Sequence, residues 1–148
     1  MRVRDLLSTA RAQLGGGEEA RAEAEWLLAH ALDRPRAWLF AHPEFAPERE
    51  SCDVFTRLVE ERRRGRPIAY LLGRREFWSL PLTVTPDVLI PRPETECLVE
   101  LALHRIPPDA ACAVADLGTG SGAIALALAS ERPQARVLAT DVSHAALA

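Results

Sequence analysis

The sequence predicts a two-part chain of mixed class: a small helical bundle, then a β-hairpin, then the opening of an α/β domain. Three observations carry this. Apolar residues recur with helical spacing through the first half, then give way to strand-formers over Glu76–Val84. Near the end, a short apolar run, a glycine-rich segment, an uncharged helix-forming run and a second apolar run follow in β-α-β order. At about 150 residues per domain, a length of 148 residues allows one domain, or a small domain plus part of another.

Each element has its own justification. Val3, Leu6, Leu7, Ala10 and Leu14 form one buried stripe of a first helix, ended by Gly15-Gly16-Gly17. Glu18 and Glu19 open a second helix, where acids in the first turn oppose the helix dipole. Its apolar face is Ala20, Ala24, Leu27, Leu28 and Ala31, and Pro35 follows as a stop. A brief third segment holds Trp38, Leu39 and Phe40. Pro47 suits the first turn of a fourth helix, with Val54, Phe55, Leu58 and Val59 inward and Gly65 as its C-terminal stop. Pro67–Leu72 adds one turn, closed by Gly73. Trp26, Trp38, Phe40 and Phe55 are expected in the helical core, while Trp78 sits on the hairpin read over Glu76–Val84.

Val88–Ile90 reads as a short extended piece, and Pro91-Arg92-Pro93 stiffens the chain. A helix should start near Pro93, with Glu94 and Glu96 in its first turn and Leu98, Leu101 and Ala102 inward, stopped by Pro107-Pro108. Ala111–Ala115 is the first strand of the last unit, Ala123–Ser130 its helix and Arg136–Thr140 its second strand, ending at Asp141. A parallel sheet needs more strands and two covered faces. The expected reading is therefore a helical domain followed by the front of a larger α/β domain.

Composition narrows the function. The net charge of −3 offers no basic excess for a nucleic-acid binder. No apolar run reaches the roughly 18 residues that span a bilayer, and Met1–Asp5 leads into an amphipathic pattern, not a signal peptide. The three cysteines, Cys52, Cys97 and Cys112, are odd in number and far apart, which fits a reducing cytoplasm. Cys97 and His104 share a helical face, yet no further ligands at metal spacing accompany them, so no metal site is expected. No Ser/His/Asp arrangement is supported, and His30, His42 and His144 have no readable acid–base partner. Every cationic side chain is Arg, and the chain has no Lys and no Asn.

The chemistry concentrates in Asp116-Leu117-Gly118-Thr119-Gly120-Ser121-Gly122. Glycines let the backbone turn tightly and let a ligand touch the main chain, and the following helix offers free N–H groups. An acid at the end of the second strand, Asp141, lies 23 positions past Gly118, where it can accept hydrogen bonds from two ribose hydroxyls. The pattern describes a nucleoside-bearing cofactor. Gly118, Gly120 and Ala123 also satisfy the dinucleotide fingerprint, so a nicotinamide-dependent dehydrogenase fragment is one alternative. Against it, Asp116 would crowd a pyrophosphate, whereas it could orient the glycine loop or meet a cation. Over a hundred residues also precede the motif. S-adenosylmethionine, with a ribose, a sulfonium and no phosphate, fits an acidic glycine-lined site better. A second alternative is a non-catalytic module whose helices only recruit a partner.

The segment 116–122 resembles motif I of class I S-adenosylmethionine-dependent methyltransferases. Three upstream stretches are more specific: Arg66-Pro67-Ile68-Ala69-Tyr70-Leu71-Leu72-Gly73, Arg75-Glu76-Phe77-Trp78, and Leu89-Ile90-Pro91-Arg92-Pro93-Glu94-Thr95-Glu96. Together they resemble the HemK/PrmC family, protein-(glutamine-N5) methyltransferases acting on peptide chain release factors. The resemblance covers nearly the whole chain. It implies a helical, substrate-docking domain over 1–74, a β-hairpin linker over 75–90, and a truncated Rossmann-like methyltransferase domain over 91–148. It implies that the cofactor contacts Gly118, Thr119, Gly120, Ser121 and Gly122, that Asp141 binds its ribose, and that 91–95 packs near its methionine end. The family's catalytic Asn-Pro-Pro-Tyr is absent from this Asn-free chain, so no catalytic residue carries over and the chain alone is expected to be inactive. The implied reaction moves the methyl of S-adenosylmethionine to the side-chain amide nitrogen of the glutamine in a Gly-Gly-Gln loop. The implied partner is a release factor, with no nucleic acid and no membrane.

One feature stays open between two readings. Arg62, Arg63, Arg64, Arg66, Arg74 and Arg75 cluster locally. They form either a solvated helix end favoured by the dipole or a contact surface for an acidic face of the partner.

Overall fold

Val3, Leu6 and Ala10 are buried along one side of α1 (Val3–Gln13), the stripe their spacing predicts. They meet Ala24, Leu27 and Leu28 of α2 (Gly17–Ala31) and Phe55 and Val59 of α4 (Arg49–Arg63). Short helices α3 (Arg36–Ala41) and α5 (Ile68–Leu72) complete this bundle, and α3 contributes Leu39 to the core. The computed structural model describes residues 1–147, and the chain divides into two units, Met1–Leu72 and Gly73–Ala148.

Three expectations for the helical unit need correction. Pro47 lies ahead of α4 and not inside it. The helix begins where the Glu48 carbonyl accepts from Cys52 N at 3.1 Å, and Glu48 itself is extended. Pro47 therefore stiffens the approach to the helix. Trp26 and Phe40 are not core residues, being 41% and 54% exposed. Trp26 falls off the Ala24–Leu27–Leu28 face, and its ring instead lies 4.6 Å from the Arg36 guanidinium. On the one-and-a-half turns of α3, Leu39 takes the inward position and leaves Phe40 outside. Phe55 is buried as expected, and Trp38 is half-buried, stacked on His42 with ring centroids 4.2 Å apart.

Glu25 is the one buried charged residue among the described residues. Arg21 Nε donates to its Oε1 at 3.0 Å and Arg36 Nη2 to its Oε2. Burial of a carboxylate is tolerated because both oxygens are paired.

In the second unit, β1 (Arg74–Phe77) and β2 (Leu80–Thr83) form the hairpin, antiparallel with Phe77 opposite Leu80. Its turn is Trp78-Ser79, both at positive φ (52° and 58°). Glu96 Oε1 accepts from Trp78 N at 2.9 Å, and Trp78 Nε1 donates to Glu131 Oε1 at 2.8 Å. Val88–Ile90 joins no strand; it follows a turn in which Val88 N donates to Thr85 O at 3.1 Å. The helix expected near Pro93 begins as a 3-10 turn, Pro93–Thr95, and continues as α6 (Glu96–Leu103). Val99 is its buried residue, while Leu98 and Leu101, expected inward, are exposed.

The β-α-β unit consists of β3 (Ala113–Leu117), α7 (Ala123–Glu131) and β4 (Arg136–Thr140). The strands are parallel, with Asp116 opposite Ala139 and Leu117 opposite Thr140. This register moves β3 two residues later than expected, because pairing with β4 carries the strand through Asp116. Val114 and Val137 face the helices, against Val99, Ala123, Ala127 and Leu128. The hairpin joins the same core through Phe77 and Leu82.

Candidate functional site

The glycine segment forms the connection between β3 and α7. Gly118 and Gly120 have φ of +79° and +55°, a region where a Cβ is strained. Gly118 N and Thr119 N both donate to Thr140 O, at 2.8 and 2.9 Å, tying the start of the loop to the end of β4. Gly122 N donates to Thr119 O at 3.0 Å and caps α7 in the left-handed conformation.

Asp116 and Asp141 hold this loop from two sides. Asp116 Oδ2 accepts from Thr119 Oγ1 at 2.7 Å and from Ala125 N, in the first turn of α7, at 3.2 Å. Of the two roles that sequence left open for Asp116, the geometry gives it the orienting one. Asp141 Oδ2 accepts from Gly120 N at 2.9 Å, and its Oδ1 from Ser143 N at 2.9 Å. The Ser143 amide, then the Gly120 amide, hold the Asp141 carboxyl below the usual carboxylate range, against a smaller opposing effect of burial. Gly118, Thr119, Gly120 and Asp141 are thus brought into one bonded cluster. Ser121 and Gly122 continue the loop into the helix, both half-buried.

The residues present fit a nucleoside. A carboxylate has about four lone-pair positions, and Asp141 uses one on each oxygen, so acceptors remain for a ribose diol. A Cβ built at Gly118 or Gly120 would meet nothing within 4 Å, so the space beside the loop is open. Sequence reasoning missed Ser143, although Asp-x-Ser is the pattern of an Asx turn.

Three of the six clustered arginines, Arg62, Arg64 and Arg66, are spent on internal pairs. Arg62 makes two bonds to Glu23, at 2.9 and 2.8 Å, and this pairing raises its pKa. Arg64 pairs with Glu60 and Glu61, both at 2.8 Å, and Arg66 with Glu61 at 3.4 Å. Among the described residues, no group of three or more His, Cys, Asp or Glu is placed to hold a metal. None of their helices is long and apolar enough to cross a membrane.

Helices followed by a β-α-β unit with an acid-braced glycine turn define a class: a helical part ahead of a Rossmann-like α/β unit. Comparison with known proteins agrees. Residues 5–73 match the PrmC N-terminal domain, and residues 95–148 the Methyltransferase small domain. The chain is 59% identical over 127 residues to "Release factor glutamine methyltransferase" of Xylella fastidiosa (strain Temecula1), covering 86% of this chain and 46% of that protein. The like-named Escherichia coli (strain K12) protein is 51% identical over 141 residues, covering 95% of this chain and 50% of its own length. That of Coxiella burnetii is 55% identical over 127 residues, covering 86% and 46%. The chain belongs to the PrmC/HemK family, and it spans about half the length of the curated relatives it matches.

Proposed function

We propose that this chain carries the methyl-donor half of a release factor glutamine methyltransferase. Gly118, Thr119, Gly120, Ser121 and Gly122 cradle S-adenosylmethionine, and Asp141 accepts the ribose hydroxyls. The 91–95 stretch lies near the methionine end. Residues 1–74 dock the release factor, 75–90 form the linking hairpin, and 91–148 belong to the methyltransferase domain. The acceptor is the glutamine side chain of a Gly-Gly-Gln loop. The protein works in the cytoplasm, a placement supported by the unpaired Cys52, Cys97 and Cys112.

S-adenosylmethionine supplies, when bound, a methyl group activated by a sulfonium. The chain's own residues bind and orient. Asp116 and Thr140 brace the loop, so its backbone is shaped before a ligand arrives. Asp141 stays ionised and presents its remaining lone pairs. A glutamine amide is a poor nucleophile, because its nitrogen lone pair is delocalised into the carbonyl. Its activation then rests on orientation and electrostatics, and the Asn side chain that the family uses for this is absent here.

The observation that carries the reading is the Asp141–Gly120 bond, which joins the acid and the glycine loop in one site. Titration calorimetry tests it. The chain should bind S-adenosylhomocysteine and not NADH, and Asp141→Ala should weaken binding at least about tenfold. Binding of NADH alone, or full affinity in the variant, would overturn it. Mass spectrometry of a release-factor digest should show no methyl added by the chain itself.

A further inference from the structure

The helical unit contains a groove of about 520 Å³ between α4 and α5 that shares no residue with the glycine loop. Val54, Leu58 and Leu71 give it apolar surface, with Tyr70 and arginines around them. Its two carboxylates, Glu60 and Glu61, are already engaged by Arg64 and Arg66. Arg57, also lining the groove, is exposed and makes no ion pair among the described residues. The wall therefore carries an uncompensated positive charge beside an apolar centre.

We propose that this groove is a docking site for an acidic protein segment, which inserts one large apolar side chain onto Val54, Leu58 and Leu71 and sets a carboxylate against Arg57. An apolar centre ringed by Arg and Tyr is the composition of a protein–protein contact. A small-molecule pocket instead needs fixed polar groups inside to orient its ligand. Here most of the polar groups are long, exposed Arg and Glu side chains. The buried side-chain nitrogens without an acceptor among the described residues, Arg36 Nε and Arg75 Nε, do not line the groove. The unpaired guanidinium selects an acidic partner over a basic one. That the segment belongs to a release factor rests on the function proposed above.

The test measures binding of a purified release factor to the whole chain by biolayer interferometry at low salt. Arg57→Glu should weaken binding at least about tenfold, and Arg57→Lys should retain most of it. Val54→Trp, which fills the groove, should weaken it to a similar degree. Circular dichroism and affinity for S-adenosylhomocysteine should be unchanged in all three variants. Release-factor affinity in Arg57→Glu and Val54→Trp equal to that of the unaltered chain would overturn the docking site. So would an unaltered chain that binds S-adenosylhomocysteine but no release factor, and the cofactor reading would then survive alone. Release-factor binding that is lost in the groove variants, in a chain that binds no S-adenosylhomocysteine, would uphold the groove and overturn the cofactor reading.

Discussion

The helical unit and the glycine-loop unit treat their apolar residues differently. In the first, Val3, Leu27, Leu28, Leu39, Phe55 and Val59 come from four helices and bury one another. In the second, α7 and α6 cover only the Val114/Val137 face of the two-stranded sheet. On that sheet Leu117 is 79% and Leu138 60% exposed. Amphipathic helices can close a core among themselves, whereas a parallel sheet needs both faces covered. The second unit adds to its one covered face a network of hydrogen bonds around its loop. The first unit is held by packing, and the loop of the second by polar tethers.

This contrast can be broken or sharpened by substitution. Leu28→Ala should cost the helical unit about 2–5 kcal/mol, read by urea denaturation, and leave the transition of the second unit in place. A single transition shifted as a whole would erase the distinction. Gly120→Val places its Cβ against no other atom but strains the backbone, at about 1–3 kcal/mol. It should abolish binding of S-adenosylhomocysteine by calorimetry while the helical transition stays put. Thr119→Val removes the hydroxyl bond to Asp116, worth about 1.5 kcal/mol, and Thr119→Ser should restore both stability and affinity. Leu138→Ser, on the open sheet face, should change stability by less than about 0.5 kcal/mol. A larger loss would mean that this face is covered in solution.

The last effect is one of pH. Asp141 has a folded-state pKa below its ordinary value of 3.8. Its tether to Gly120 and Ser143 therefore stabilises the loop fully above that value, and is lost as pH falls through its own lower value. Following the Gly120 amide by NMR should give a midpoint below 3.8, whereas a midpoint at or above it would remove the tether from the account.

How much was legible depended on the kind of interaction. Helical stripes such as Val3–Leu6–Ala10 follow from spacing alone, because period and burial are the same statement. The loop and its acid were legible because glycine and aspartate have few other reasons to stand at those places. Strand limits were not: Ala111–Ala115 is made of small residues that mark no edge, and the partner strand sets the register. Trp26 and Phe40 lie outside the core because hydrophobicity says only that a ring prefers burial, while helix phase decides whether it gets there. The role of Asp116 is set by the fold, since both of its partners lie along the chain in positions a loop could place anywhere.

The hairpin tip has a consequence for the order of assembly. Two-residue turns of this hand usually use Asn-Gly, yet here a tryptophan and a serine adopt positive φ at a cost of roughly 1–2 kcal/mol each. What holds the tryptophan there are Glu96 and Glu131, 18 and 53 positions further along. The ribbon therefore has little to sustain it until α6 and α7 have formed. Although it comes first in the chain of its unit, it should close only after those two helices.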